Sequence, residues 1–289
     1  MKTVAVLGLN GQLGQTLKYL VGDSNTKFSF YTREQLDITN KEAIEQVLNE
    51  NDFDFCINCA AYTNVELAES DHENAYLVNA TGVEYLAEVC KAQQIKLIHI
   101  STDYVFDGTK GEPYKTGDST NPLNFYAKSK LKGEQNIKEI LKEHFIIRTS
   151  WLYSIYGKNF MKTIINKISE DKLLTITTEE TGTPTSCLDL ARFILHVVSS
   201  ENVPYGTYHF SAKGSTTWYG FAKAIAQFYD TTKIGLITAV PSFKTKAKRP
   251  KHSVLDISKT EKAYSKSLNT WQDSLRETIE LFKSQASLT

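Results

Sequence analysis

The chain has 289 residues, with 33 Lys plus Arg balanced by 33 Asp plus Glu, 41% hydrophobic and 23% charged. At about 150 residues per domain this allows one large or two modest domains, and the neutral balance argues against a dedicated nucleic-acid binder. No run approaches the roughly 18 apolar residues needed to cross a bilayer, and the apolar start from Met1 to Gly8 is too short for a secretory signal. The expected address is the cytoplasm, with neither nucleic acid nor membrane as partner.

Through the first half, β-branched and aromatic runs alternate with segments of helical period, the pattern of βαβ units around a parallel sheet. The predicted strands are Thr3 to Leu7, Phe28 to Tyr31, Phe53 to Asn58, Lys96 to Ser101 and Phe145 to Arg148. The predicted helices are Gln12 to Leu20, Lys41 to Asn49, Glu73 to Gln93 and Asn124 to Lys142. A Rossmann-type α/β fold with a doubly wound parallel sheet is expected. Beyond about Trp151 the alternation is irregular, with helical stretches at Asn159 to Glu170, Leu188 to Ser199, Trp218 to Tyr229 and Trp271 to Ser284. One further strand signal lies at Pro204 to Ser211. We expect a dinucleotide-binding core over residues 1–150 and a smaller, intertwined, mainly substrate-binding region over 151–289, with the segment near 188–212 returning to the core.

Cys56, Cys59, Cys90 and Cys187 are too few for a disulfide scaffold in a chain this long. Cys56 and Cys59 fall three apart in a predicted strand and so point to opposite faces, and the six histidines show no ligand spacing. Core cysteines, unremarked histidines and no metal are expected.

The segment Gly8-Leu-Asn-Gly11-Gln12-Leu13-Gly14 directly follows the first strand and opens the first helix. A dinucleotide pyrophosphate needs a tight turn, close backbone approach and the positive end of a helix dipole, and glycine leaves room for all three. The second strand ends Tyr31-Thr32-Arg33, without the carboxylate that would select NAD. Arg33 could receive the 2′-phosphate of NADP or be a solvated loop residue. Asp37 opens the next helix region, as its cap or as a neighbour of the adenine.

Tyr126-Ala-Lys-Ser-Lys130 lies on a predicted helix, where residues four apart share a face. A cation beside the tyrosine would stabilise its phenolate and bring the pKa toward neutrality. Thr102 follows the fourth strand at its C-terminal end, where open α/β sheets gather their ligands. It can bond a carbonyl oxygen while Tyr126 supplies the proton.

Together with Asn58-Cys-Ala-Ala61-Tyr62-Thr63-Asn-Val65, Val78-Asn79-Ala80, Ser101-Thr102-Asp103-Tyr104-Val-Phe, Arg148-Thr-Ser-Trp151 and Arg249-Pro-Lys-His-Ser253, these motifs resemble the extended short-chain dehydrogenase/reductase superfamily, and within it the dTDP-4-dehydrorhamnose reductase family. The resemblance implies reduction of the 4-keto group of dTDP-4-dehydro-β-L-rhamnose with NADPH or NADH. By it Tyr126 is the general acid, Lys130 holds the nicotinamide ribose and lowers the tyrosine pKa, and Thr102 orients the 4-keto oxygen. It places Gly11, Gln12 and Leu13 at the pyrophosphate, Asp37 and Ile38 at the adenosine, and Ala61, Tyr62 and Thr63 along the middle of the cofactor. Val65, Asp103 and Trp151 fall at the sugar, and Asn79 either supports the active site or makes an internal structural bond. The family also points to a nucleotide-sugar substrate and a homodimer.

The basic run Lys244, Lys246, Lys248, Arg249 and Lys251 offers Arg249 to a diphosphate, or is a solvated loop. Trp151, Trp218 and Tyr219 could stack on a base or sugar or fill a core, and only Trp151 has motif support. Two other readings stay open. One is a different nucleotide-sugar reductase or epimerase of the superfamily, although Asp103-Tyr104 after Thr102 lacks the Asp-Glu pair of a dehydratase. The other is a non-catalytic NADP-binding regulatory subunit resembling the methionine adenosyltransferase β subunit, which the complete set of Thr102, Tyr126 and Lys130 counts against.

Overall fold

In a computed structural model, which describes residues 1–22 and 26–286, six strands form one sheet. They are β1 (Thr3–Leu7), β2 (Lys27–Tyr31), β3 (Phe55–Asn58), β4 (Lys96–Thr102), β5 (His144–Thr149) and β6 (Gly206–Phe210). Their order is β6-β5-β4-β3-β1-β2, and every neighbouring pair is parallel. The order reverses between β1 and β3, which opens a crevice at their C-terminal ends.

A parallel sheet is covered on both faces, so its strands carry apolar residues in both directions. Five helices lie along it: α1 (Gln12–Val21), α2 (Lys41–Asn49), α3 (Gly82–Ala92), α4 (Phe125–Ile140) and α5 (Cys187–Ser199). Val4 and Val6 of β1 join an apolar cluster with Leu13 and Leu17 of α1 and Leu190 and Ile194 of α5. Ala5 and Leu7, facing the other way, join Ile44 and Leu48 of α2, Leu86 of α3 and Ile137 of α4. A third cluster draws on the helices Phe160–Ser169, Trp218–Tyr229 and Trp271–Ala286. None of the described helices is long and apolar enough to cross a membrane.

The expected helix from Glu73 to Gln93 is not continuous. An α-helical turn, His72–Tyr76, widens into a π-helical segment, Leu77–Thr81, before α3 begins. Such wide turns concentrate at functional sites, and this one carries the buried Asn79 inward. A two-stranded parallel ribbon, Leu174–Thr177 with Ile237–Val240, has no counterpart among the expected strands, because its residues are mostly half-buried or exposed and so lack the continuous apolar run of a core strand such as β3.

Two contacts seat α4. A Cβ on Gly133 would lie 2.1 Å from the Asn79 carbonyl oxygen, so only glycine allows this helix to approach the π turn so closely. One residue on, the buried Glu134 accepts from Arg148 Nε at 2.9 Å and Nη2 at 2.7 Å, and from the Ser101 hydroxyl at 2.6 Å. Burial raises the Glu134 pKa, but Arg148 and Ser101 outweigh it and hold the carboxyl below its ordinary range. A carboxyl depressed on folding contributes stability above its unfolded pKa and loses it as the pH falls through the folded value. Glu134→Gln should therefore cost about 3–5 kcal/mol at neutral pH, because it leaves Arg148 buried without a counter-charge. Urea denaturation measures it, and the penalty should shrink in acid.

Candidate functional site

The C-terminal ends of β1, β3, β4 and β5 open on a cleft of about 580 Å³. It adjoins a second hollow of about 400 Å³, and the two share Asn10, Gly11, Cys59, Ala61 and Thr63 as walls.

The turn after β1 has the shape a dinucleotide needs. The N–H groups of Gly8 and Leu9 donate to the Tyr31 carbonyl, and Gly8 has φ +83°, where a side chain would also meet the Ala60 nitrogen at 2.7 Å. A Cβ on Gly14 would stand 2.5 Å from the Gly8 oxygen, so α1 can start only this close to β1 with glycine there. Gly11 is the N-cap of α1, and no acidic residue occupies the first turn to oppose an anion. Gly11, Gln12 and Leu13 line the main cleft, and Gly8, Arg33, Asp37, Ile38 and Tyr62 line the second hollow. This cradle fits the pyrophosphate and adenosine of a nicotinamide dinucleotide. Asp37 does not cap α2, because Asn40 does so by accepting from Ala43 N. Its carboxylate takes the Thr39 N–H at 2.9 Å and pairs with Arg33 at 3.0 Å.

Thr102, Tyr126 and Lys130 all reach the main cleft, together with Val65, Asp103 and Trp151. Thr102 ends β4 and its hydroxyl caps the short 3₁₀ turn Asp103–Val105 by accepting from Tyr104 N. Tyr126 and Lys130 lie in the first turns of α4, which Asn124 caps by accepting from Ala127 N at 2.8 Å. The lysine does not depress the tyrosine. Burial pushes the Tyr126 phenol up to about 12, against a lowering by the Thr102 hydroxyl. Lys130 is turned instead toward the Ile100 carbonyl, to which it donates at 2.6 Å, and burial brings its ammonium down to about 8.

Asn79 closes a network behind these groups. Its amide accepts from Tyr62 N at 2.9 Å, donates to the Tyr62 carbonyl at 2.9 Å and donates to the Ser129 hydroxyl at 3.0 Å. Ser129 in turn donates to the Tyr126 carbonyl at 2.8 Å. The π turn thus ties the Ala61 to Thr63 wall to the helix bearing Tyr126.

Trp151 adopts φ +45°, unusual for a bulky residue, and its ring stacks on Trp218 with centroids 3.7 Å apart and planes at 8°. A Cβ on Gly182 would come within 2.6 Å of that ring. Arg249 is not among the residues lining the cleft. Its guanidinium pairs with Glu66 at 2.6 Å, and Glu66 also accepts from Lys246 N, so the basic loop is fastened to the helix Val65–Ala68. Tyr219 packs in the third apolar cluster.

Lys158 and Cys59 line the cleft although the sequence does not mark them for it, and Trp218, open between stacking on a ligand and filling a core, lines it too. Cys59 is thus a wall residue where a core position was expected, because β3 ends one residue before it. His99, read as unremarkable, is fully buried against Lys130. Only its place in the strand before Ser101-Thr102-Asp103 could have drawn attention to it. Among the described residues no group of three or more His, Cys, Asp or Glu is placed to hold a metal.

The family model described as the RmlD substrate binding domain matches residues 1–284. A dTDP-4-dehydrorhamnose reductase of Aggregatibacter actinomycetemcomitans is 36% identical over 287 residues, 96% of this chain and 98% of that protein. The crystal structure of a dTDP-4-dehydrorhamnose reductase from Clostridium acetobutylicum superposes with a TM-score of 0.92 and 38% identity, covering 97% of this chain and 99% of that one. The Bacillus anthracis dTDP-4-dehydrorhamnose reductase, solved in complex with NADP, gives 0.91 and 34%, covering 97% and 100%.

Asp103 is buried in the cleft wall with Oδ2 unpartnered among the described residues. Burial pushes its carboxyl up to about 7, although Ser253 and Thr102 pull the other way. A carboxyl raised on folding costs stability as the pH climbs from its unfolded to its folded pKa. Asp103→Asn should therefore gain stability relative to the unaltered chain between about pH 4 and pH 8. Urea midpoints across that range test it, and a flat difference would mean that the carboxyl ionises freely.

Proposed function

Because the chain belongs to the RmlD substrate binding domain family, we propose that it reduces the 4-keto group of dTDP-4-dehydro-β-L-rhamnose to give dTDP-β-L-rhamnose, with NADPH or NADH. The observation that carries this reading is the meeting of Thr102, Tyr126 and Lys130 in one cleft that runs into the glycine turn.

The nicotinamide, when bound, supplies the hydride that adds to the sugar C4. Tyr126 supplies the proton: with its phenol pushed up to about 12 it stays protonated at neutral pH, as a general acid must. As C4 gains hydride, the Tyr126 O–H bond breaks and the carbonyl oxygen becomes a hydroxyl. The Thr102 hydroxyl orients that oxygen, and Lys130 steadies the charge left on Tyr126 and holds the ribose. Val65, Asp103 and the Trp151 ring meet the sugar. The exposed Lys158 stands on the cleft wall for a diphosphate, while Arg249 must first leave Glu66.

Tyr126→Phe should lower kcat by about 10²–10⁴-fold with dinucleotide affinity retained. Loss of reduced-nicotinamide absorbance with dTDP-4-dehydrorhamnose reads it, and undiminished turnover would remove Tyr126 as the acid. Tight dinucleotide binding without turnover by the unaltered chain would favour the regulatory reading. Arg33 sits on the wall of the second hollow, and Arg33→Ala should raise the KM for NADPH about tenfold while sparing NADH. Equal effects on both would make it a loop residue.

A further inference from the structure

Behind Lys130 lies a chain of buried polar groups that the reduction does not use. Asn58 Nδ2 is 3.2 Å from His99 Nδ1, and His99 Nε2 is 3.2 Å from Lys130 Nζ. All three residues are at most 2% exposed. The orientation of the Asn58 amide is settled from outside the chain of groups. The Ala60 backbone N–H can only donate, and it meets Oδ1 at 3.0 Å. Nδ2 is therefore the atom that faces His99, and it too can only donate.

His99 must then accept at Nδ1. A neutral imidazole carries one proton, so that proton is on Nε2, aimed at Lys130. Burial holds the ring well below its ordinary pKa and so in the neutral state. An ammonium facing that N–H would set donor against donor, whereas an amine accepts it through its lone pair. The third partner, the Ile100 carbonyl, takes a proton from either form.

We propose that Asn58 and His99 are a positioning pair for Lys130: Asn58 fixes His99 as the Nε2–H tautomer, and that N–H biases Lys130 toward the uncharged amine. The other groups facing Lys130 are Cys59 beyond β3, and Tyr126 and Glu134 on its own helix, with Glu134 committed to Arg148 of β5. Glu134 and Cys59 favour the ammonium, so the pair works against them, together with burial. The partner of His99 on β5 is Ile146, which carries no charge. The effect on turnover rests on the catalytic role proposed for Lys130, whereas the tautomer does not.

Proton–nitrogen correlation spectra of the ligand-free full chain, labelled with ¹⁵N-histidine and assigned through His99→Gln, read the tautomer directly. His99 should be neutral and protonated on Nε2 from about pH 6 to 8. Protonation on Nδ1, or on both nitrogens, overturns the proposal whether or not the chain turns over any sugar. Asn58→Asp keeps an oxygen for Ala60 N–H and offers a second one to Nδ1. It should move the proton to Nδ1, freeing Nε2 to accept from Lys130, and shift the high-pH fall of kcat/KM upward by about one pH unit. A shifted limb with the proton still on Nε2 would mean that the added charge acts alone, and the pairing would then be wrong.

Discussion

Arg148 and Glu134 meet where neither side chain touches water, and removing two such charges from water costs several kcal/mol per ion unless other groups replace the lost hydration. Here the guanidinium gives two bonds to the carboxylate, Ser101 gives a third, and the Arg148 group lies 5.2 Å over the Phe106 ring. The pair joins α4 to β5, and Ser101 brings in β4. Tyr126, Lys130 and Glu134 recur every four residues along α4, so they form one stripe on the face turned to the sheet. Pinning the last of the three sets the other two against the end of β4, where Thr102 emerges.

The other flank of α4 is set by sterics. With no side chain at Gly133, the helix rests on the Asn79 carbonyl, while the Asn79 amide reaches past it to Ser129 and to the Tyr62 backbone. One asparagine therefore registers the groups that would handle the proton against the wall that would hold the cofactor. The wide turn at Leu77–Thr81 is what brings it there, since an α-helical continuation would carry position 79 around the axis.

The alternation of apolar runs was enough to read the central strands and most helices, because burial on both sheet faces leaves a strong signal in sequences such as Thr3-Val-Ala-Val-Leu7. Tyr126 and Lys130 were legible as a pair because helical spacing alone puts them on one face, and Thr102 because it closes a strand. The π turn was not legible, since its residues keep an apolar period that looks like unbroken helix. Nothing local distinguishes Trp218 from a core aromatic, because its place in the cleft depends on a stack with a residue 67 positions earlier. Arg249 was read from its charge, but charge does not reveal that Glu66 already holds it. His99 was hidden because a histidine inside an apolar strand looks the same whether or not a lysine lies behind it.

The sixth strand carries a consequence for how the chain comes to be folded. β5 ends at Thr149, yet its second neighbour, β6, begins only at Gly206. During synthesis at about 5–20 residues per second, the open edge of β5 waits several seconds for its cover. That edge carries Phe145 and Ile147, apolar residues that a β-strand from another nascent chain could pair with equally well. Assembly is thus a race between arrival of a distant segment and association with strangers, and a slower ribosome lengthens the interval in which the wrong partner can win.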